Sequence, residues 1–321
     1  MRAHFRGFSL CLLLGGAVAS LSSAASAVTI DWTPVGNQGN ACDVQSGQGC
    51  FGSVAYGYNI GTYEVTNSQY AEFLNAVADT DTNALYNTSM GLIGINGGIT
   101  RIGGSGSYTY NAIGGLGDMP VNYVSFYDTL RFANWLHNGQ PNTGTQNSGT
   151  TEGGAYTFSG PITVGARNAG ATIFLTSENE WYKAAYYDAS SASYFNYPAG
   201  SDTQTVCASP SATLNTANCL NRVGRLTDVG SYTGSASPYG TFDQGGNVSE
   251  WSERVTDLAR VRGGSLGSDA SFLAASIRWA SDPLFESRDT GFRVASIPEP
   301  GTGLLVMAGL LGLTCRRKRH T

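Results

Sequence analysis

The sequence predicts an irregular α+β domain: three capped helices, a few short strands and unusually long loops. The helices come first because their start signals are explicit. Thr66-Asn67-Ser68-Gln69 forms a capping box, and Tyr70, Phe73, Leu74 and Val77 follow at the i, i+3, i+4, i+7 spacing of one helical face. A second box opens at Ser125 with Asp128 three residues on. Phe126, Leu130, Ala133 and Leu136 then share a face until Asn138-Gly139 ends the run. A third helix begins at Thr176 or Ser177, with Glu180 available for its box and Trp181, Ala184 and Ala185 turned inward. Strand-like pieces span Tyr58 to Val65, Thr172 to Leu175 and Gly291 to Ala295. The stretches 80–119 and 140–170 are rich in Gly, Asn, Thr and Ser, and loops this long in a compact domain are functional or are held by ions and disulfides. Helices scattered among short strands and coil are an α+β pattern. No internal repeat, heptad or phosphate-cradling loop interrupts it, and Gly114-Gly115-Leu116-Gly117 reads as a turn.

Both ends carry targeting signals. Arg2 and Arg6 precede an apolar stretch from Leu10 to Val18, and Ala25-Ser26-Ala27 supplies a small-residue cleavage site; residues 1–27 read as a secretory signal peptide. At the other end, Ile297-Pro298-Glu299-Pro300-Gly301 leads into an apolar run from Leu304 to Leu313, closed by Arg316-Arg317-Lys318-Arg319. The run is short of the roughly 20 apolar residues that span a bilayer, while the trailing cations would stay on the cytoplasmic face. It implies transient membrane contact through a processed tail, with a plain tail anchor as the alternative. The order Pro-Glu-Pro, apolar stretch, Arg cluster resembles the PEP-CTERM sorting signal of Gram-negative bacteria, whose processing partner is an exosortase. The expected organisation is therefore a signal over 1–27, a domain over 28–296 and a sorting tail over 297–321. The expected place is the cell surface or extracellular matrix, reached through the inner membrane.

Composition narrows the chemistry. Four cysteines lie outside the two ends, and Cys42, Cys50, Cys207 and Cys219 form two short pairs that could each close locally. An even count in an oxidising compartment reads as disulfides, although connectivity stays open. His137 is the one histidine outside the ends, so no multi-histidine metal site can be built, and it reads as structural or exposed. Between the two ends, 12 basic residues stand against 22 acidic ones, a balance of −10. Such a surface excludes nucleic acid as a partner and suits calcium, which takes hard oxygen ligands. The 43 glycines imply much loop, while 17 Tyr and 5 Trp can still supply a core.

Six blocks then resemble one family in order. Ile60-Gly61-Thr62-Tyr63-Glu64-Val65-Thr66-Asn67-Ser68-Gln69-Tyr70 is similar to the "(K/R)YEVTNAQY" opening of the formylglycine-generating enzyme, or sulfatase-modifying factor, family. Met119 to Asp128 resembles its "PVxxVSWxDA" block, and Leu175 to Ala185 its "LPTEAEWEKAA" block, with Thr176 where proline is usual. Tyr239 to Trp251 resembles "YGLYDMxGNVWEW", while Arg262-Gly263-Gly264-Ser265 and Gly291-Phe292-Arg293 resemble the closing "RGGSW" and "GFR" elements. These motifs lie within residues 56–295 and imply a C-type-lectin-like variant of the α+β class.

The resemblance also implies where chemistry is kept or lost. Members that oxidise a sulfatase cysteine to formylglycine hold copper with two cysteines after the RGGS element, and soft thiolates suit Cu(I). Ser268 and Leu273 stand at those positions, and no cysteine occurs between 219 and 315, so copper is not expected and no catalytic residue is assigned. A family calcium site carries over onto Asp243, the carbonyls of Gly246 and Val248, and Glu250; a metal-free turn is the alternative. A second family site would involve Asn218 and the Cys219 carbonyl, but the following loop is short. Arg262, Arg278 and Arg293 are expected to clamp buried carboxylates rather than touch ligand, and Trp251 and Trp279 to lie in the core. The expected function is an exported, calcium-stabilised module that binds a ligand, extracellular polysaccharide or another surface protein. The alternatives are an enzyme with altered chemistry and the formylglycine-generating oxidase itself.

Overall fold

The computed structural model describes residues 27–253 and 259–298. The expected signal peptide, except Ala27, and the sorting tail beyond Pro298 lie outside the described residues. Eight strands make two four-stranded sheets: β1 (Trp32–Val35), β2 (Tyr58–Gly61), β3 (Ile173–Leu175), β4 (Ser249–Ser252), β5 (Ala259–Arg262), β6 (Trp279–Ser281), β7 (Thr290–Phe292) and β8 (Val294–Ser296). The first sheet runs β1-β2-β8-β3 and is antiparallel throughout, with Ala295 opposite both Ile60 and Phe174. The second runs β6-β5-β4-β7, antiparallel except where β4 pairs β7. Small two-stranded hairpins decorate the loops; one of them, Ile99–Ile102 with Thr109–Ala112, falls in the long segment expected to be coil.

All three helices form where the capping boxes predict, as α1 (Asn67–Val77), α2 (Phe126–His137) and α3 (Glu178–Tyr186). Thr66 with Gln69, Ser125 with Asp128 and Ser177 with Glu180 each satisfy two first-turn donors reciprocally. The inner faces of α1 and α2 meet in one core, where Phe73 of α1 packs edge-on against Phe132 of α2, which in turn meets Phe292 of β7, while α3 places Trp181, Tyr182 and Tyr186 in a second cluster with Phe51. Each such ring contributes about 1.5–3 kcal/mol by burial alone. Among the described residues no helix is long and apolar enough to cross a membrane.

The cysteines close locally, as Cys42–Cys50 and Cys207–Cys219. His137 accepts the Thr172 N–H at Nδ1 and pairs with its hydroxyl, a structural contact that ties the end of α2 to the start of β3.

Three expectations need correction. The strand expected over 58–65 leaves its ladder at Gly61, where a side chain would meet the Tyr63 carbonyl at 2.9 Å as the chain bends. The strand expected over 291–295 is divided into β7 and β8 at Arg293, which turns inward between the two sheets. Trp279 is not core. It lies in register with Val261, Trp251 and Phe292 across the second sheet, but on the edge strand β6. It is 51% exposed, whereas Trp251 is fully buried.

Candidate functional site

The turn after Tyr239 has a tightly constrained backbone. Asp243 and Asn247 both adopt left-handed conformations, with φ of 58° and 56°, and Gly246 between them has φ 87°. Gly246 is glycine for a second reason, because a Cβ there would lie 2.5 Å from the Asn218 carbonyl oxygen. Asn247 holds the turn together from inside. Its Oδ1 accepts from the Thr227 N–H at 3.0 Å and from Asn218 Nδ2 at 3.2 Å, while its Nδ2 reaches Glu64 Oε1 at 3.4 Å.

Three carboxylates and one guanidinium share this interior. Arg293 spends all its donors: Nε and Nη2 grip Glu250 at 2.6 and 2.7 Å, and the remainder go to the carbonyls of Gly61, Thr62 and Phe242. Trp181 Nε1 adds a third donor to Glu250 Oε2 at 2.9 Å. Glu64 is also fully buried, yet its Oε2 has no hydrogen-bond partner, and the nearest guanidinium nitrogen of Arg293 is 3.9 Å away. Asp243 accepts one N–H, from Gly230 at 2.6 Å. Burial and the Asp243 carboxylate push Glu64 well above the usual carboxylate range, with Arg293 pulling the other way. Burial likewise raises Asp243 to about 6.

The calcium expectation can be tested on these atoms. With all groups ionised, Glu64, Asp243 and Glu250 against Arg293 leave two uncompensated negative charges. An interior holds such charge poorly unless a cation or protons balance it. Glu250 Oε1 accepts a single donor and keeps a lone pair, and Glu64 Oε2 is orphaned. Hard oxygen donors with surplus negative charge are the chemistry that Ca²⁺ takes, and Asp243 and Glu250 Oε1 supply such donors here. The structure also places Glu64, which the sequence reading did not single out, in this charge cluster. A charge between Tyr63 and Val65, just past the end of β2, was the one available signal, and it does not name the partners. Among the described residues no group of three or more His, Cys, Asp or Glu side chains forms a metal centre, so the fit rests on mixed main-chain and side-chain oxygens. At the second expected site, Asn218 Oδ1 is buried without a partner, and the Cys219 carbonyl accepts the Arg222 N–H.

The RGGS segment continues from β5. Gly263 and Gly264 again occupy left-handed positions, and a Cβ on Gly263 would meet the Gln244 carbonyl at 2.7 Å. Ser268 Oγ accepts the Ser265 N–H at 2.9 Å, and the Ser268 carbonyl accepts from Leu220 at 2.8 Å. The adjacent Asn221 N–H bonds to the Leu266 carbonyl at 2.7 Å, so the loop after Cys219 lies directly on this segment. Leu273 is fully buried in a small apolar cluster with Ala217 and Cys219.

The arginines behave as clamps. Arg262 donates to Glu178 at 2.8 Å and to the carbonyls of Ala275 and Ile277, and Arg278 takes the other Glu178 oxygen. Sequence reasoning passed over Arg167. It lies over the Phe174 ring and bridges the buried Glu180 and the half-buried Glu253, which would otherwise be neighbouring unbalanced carboxylates. A cleft of about 490 Å³ opens at the start of the described chain, with Asp31, Glu64, Glu72, Asp118 and Asp228 in its wall and no Lys, Arg or His.

Comparison with known proteins agrees with this architecture. The profile of the sulfatase-modifying factor enzyme 1-like domain matches residues 52–297, and that of the PEP-CTERM protein-sorting motif matches residues 296–319. No curated protein sequence is a significant match. Among solved structures, variable protein 1 of Treponema denticola is similar at 18% identity and TM-score 0.55, over 86% of this chain and 98% of that one. CarF is similar at 19% identity and TM-score 0.49, over 84% of this chain and 98% of its own. PvdO from Pseudomonas aeruginosa is similar at 18% identity and TM-score 0.46, over 83% of this chain and 91% of its own.

Proposed function

The chain belongs to the family of the sulfatase-modifying factor enzyme 1-like domain, and from that premise we propose that it is a non-catalytic, calcium-stabilised member that binds a ligand or matrix component at the cell surface. Its PEP-CTERM motif indicates export, surface sorting in a Gram-negative bacterium and processing by exosortase machinery. The finer steps are the proposal: that the mature protein stays at the surface or in the matrix, and that binding rather than oxidation is its task.

The observation that carries this reading is the filling of the segment after RGGS. An oxidase of the family would present two thiolates there, soft ligands matched to Cu(I). This chain has Ser268, whose hydroxyl is turned back onto Ser265, and Leu273, whose side chain is packed against Ala217 and Cys219. A serine hydroxyl is a hard, neutral donor and leucine has no donor at all, so neither can take up the metal or transfer electrons. The four cysteines of the domain are closed as disulfides, which leaves no thiolate to substitute. A scaffold can keep its fold while its site changes purpose.

Calcium supports the scaffold in this reading. Held by Asp243, the carbonyls of Gly246 and Val248, and Glu250, it would neutralise the buried carboxylates and supply folding energy rather than chemistry. Metal analysis of the exported protein tests this. Stoichiometric calcium without copper or iron is expected, and stoichiometric copper or iron would overturn it in favour of an enzyme.

A further inference from the structure

Exposed aromatic side chains are concentrated in one stretch of this protein. Phe272, Trp279 and Phe285, with Tyr56, are the exposed large aromatics among the described residues, and the first three fall within fourteen positions of one another. Phe272 and Trp279 pack together edge-to-face, with ring centroids 5.6 Å apart, yet stay 37% and 51% open to solvent. Side by side, they form a contiguous exposed apolar patch, the kind of feature that marks an interaction site.

The backbone beneath the pair is held unusually firmly. Arg262 donates to the carbonyls of Ala275 and Ile277 at 2.9 and 3.0 Å, the Ala275 N–H bonds to Asn196, and the Leu273 carbonyl accepts the Tyr186 hydroxyl. Trp279 itself lies in β6, in ladder with β5. The rings therefore stand on a frame already fixed before any ligand arrives, which lowers the ordering cost of binding. Arg278 does not share their face; it is tied to Glu178 and lies over Phe51. Strand alternation puts Ser281 on the side of Trp279.

We propose that Phe272 and Trp279 form a stacking platform for a neutral polysaccharide, with the Ser281 hydroxyl completing the contact. This rests on the binding role proposed above and names the ligand class and the residues. Three observations select that occupant. The two rings together offer on the order of 200 Å², from full areas of about 150–250 Å² each, far below the ~800 Å² per partner of a stable protein interface. That area matches the apolar face of one or two sugar rings. An anionic chain would meet a protein with 23 acidic residues, whose guanidinium nearest the platform is already committed to Glu178.

The test uses the full chain produced in an export-competent Gram-negative host and recovered in its exported form. Retention is measured on dextran, cellulose and mannan, with anionic alginate as the contrast, and acrylamide quenching of tryptophan fluorescence is followed in parallel. Retention on at least one neutral polysaccharide is expected, weakened about tenfold or more by Trp279→Ala and by Phe272→Ala. The bound polysaccharide should also protect tryptophan from quenching in the parent protein and not in Trp279→Ala. Thermal unfolding of both variants should match the parent, because the rings are half exposed. Retention unchanged by Trp279→Ala, retention on alginate alone, or retention on none of the neutral polysaccharides would overturn the platform. None of these outcomes bears on the metal content or oxidase chemistry that tests the broader role.

Discussion

Replacing Arg293 with methionine is the sharpest perturbation of the buried charge cluster. The parent side chain makes two bonds to Glu250, with both side chains fully buried, and bonds to the carbonyls of Gly61, Thr62 and Phe242. Methionine fills much of the volume but leaves Glu250 with Trp181 Nε1 as its one remaining donor. Removing one partner of a buried pair costs about 3–5 kcal/mol, chiefly through the stranded charge. For a domain of this size that is roughly 10 °C in Tm. Thermal and urea unfolding in chelator should show this loss, and Arg293→Met with Glu250→Leu should recover much of it, because the stranded charge is then gone. A loss below about 1 kcal/mol for the single variant, or a double variant worse than either single one, would refute the charge-based reasoning.

The same cluster supports further predictions. Calcium should raise Tm in the parent protein and chelator should lower it, with Asp243→Ala losing most of that response; an unchanged calcium response in the variant would remove Asp243 from the site. Gly246→Ala should destabilise by about 1–3 kcal/mol, since its φ of 87° and the Asn218 carbonyl at 2.5 Å leave no room for a Cβ. Wild-type stability in urea melts would contradict the contact. Asp128 is buried, and burial together with Glu286 pushes its carboxyl up to about 7. An acid whose folded pKa is raised holds its proton longer when folded, so its contribution is present at low pH and fades from about pH 4 up to about pH 7. Asp128→Asn should flatten that decline, by on the order of 2–4 kcal/mol across the window, and an unchanged pH profile would exclude Asp128 as its source.

Much of the fold was legible because its signals are local. Each helix announces itself within four residues of its cap, and each disulfide closes a loop of about a dozen residues or fewer, so neither depends on distant chain. The arginine clamps were legible as a type, since so few cations in an apolar setting must find carboxylates. Trp279 was not, because its exposure depends on β6 being the outer strand of its sheet, and strand order carries no local signal. Glu64 was not for the same reason: its neighbours Asn247 and Arg293 lie 183 and about 230 residues away in sequence. Arg167 carries no local signal at all, and only the folded chain brings Glu180 and Glu253 to it.

The central claim is a family scaffold exported without oxidase chemistry, and a sulfatase peptide tests it directly. The peptide, bearing the cysteine that the family oxidises, is incubated with the exported protein, copper and oxygen, and its mass is measured over time. The account predicts that the cysteine peptide is recovered unchanged, because Ser268 and Leu273 provide no thiolate to hold the metal. Conversion of the cysteine to formylglycine would contradict it.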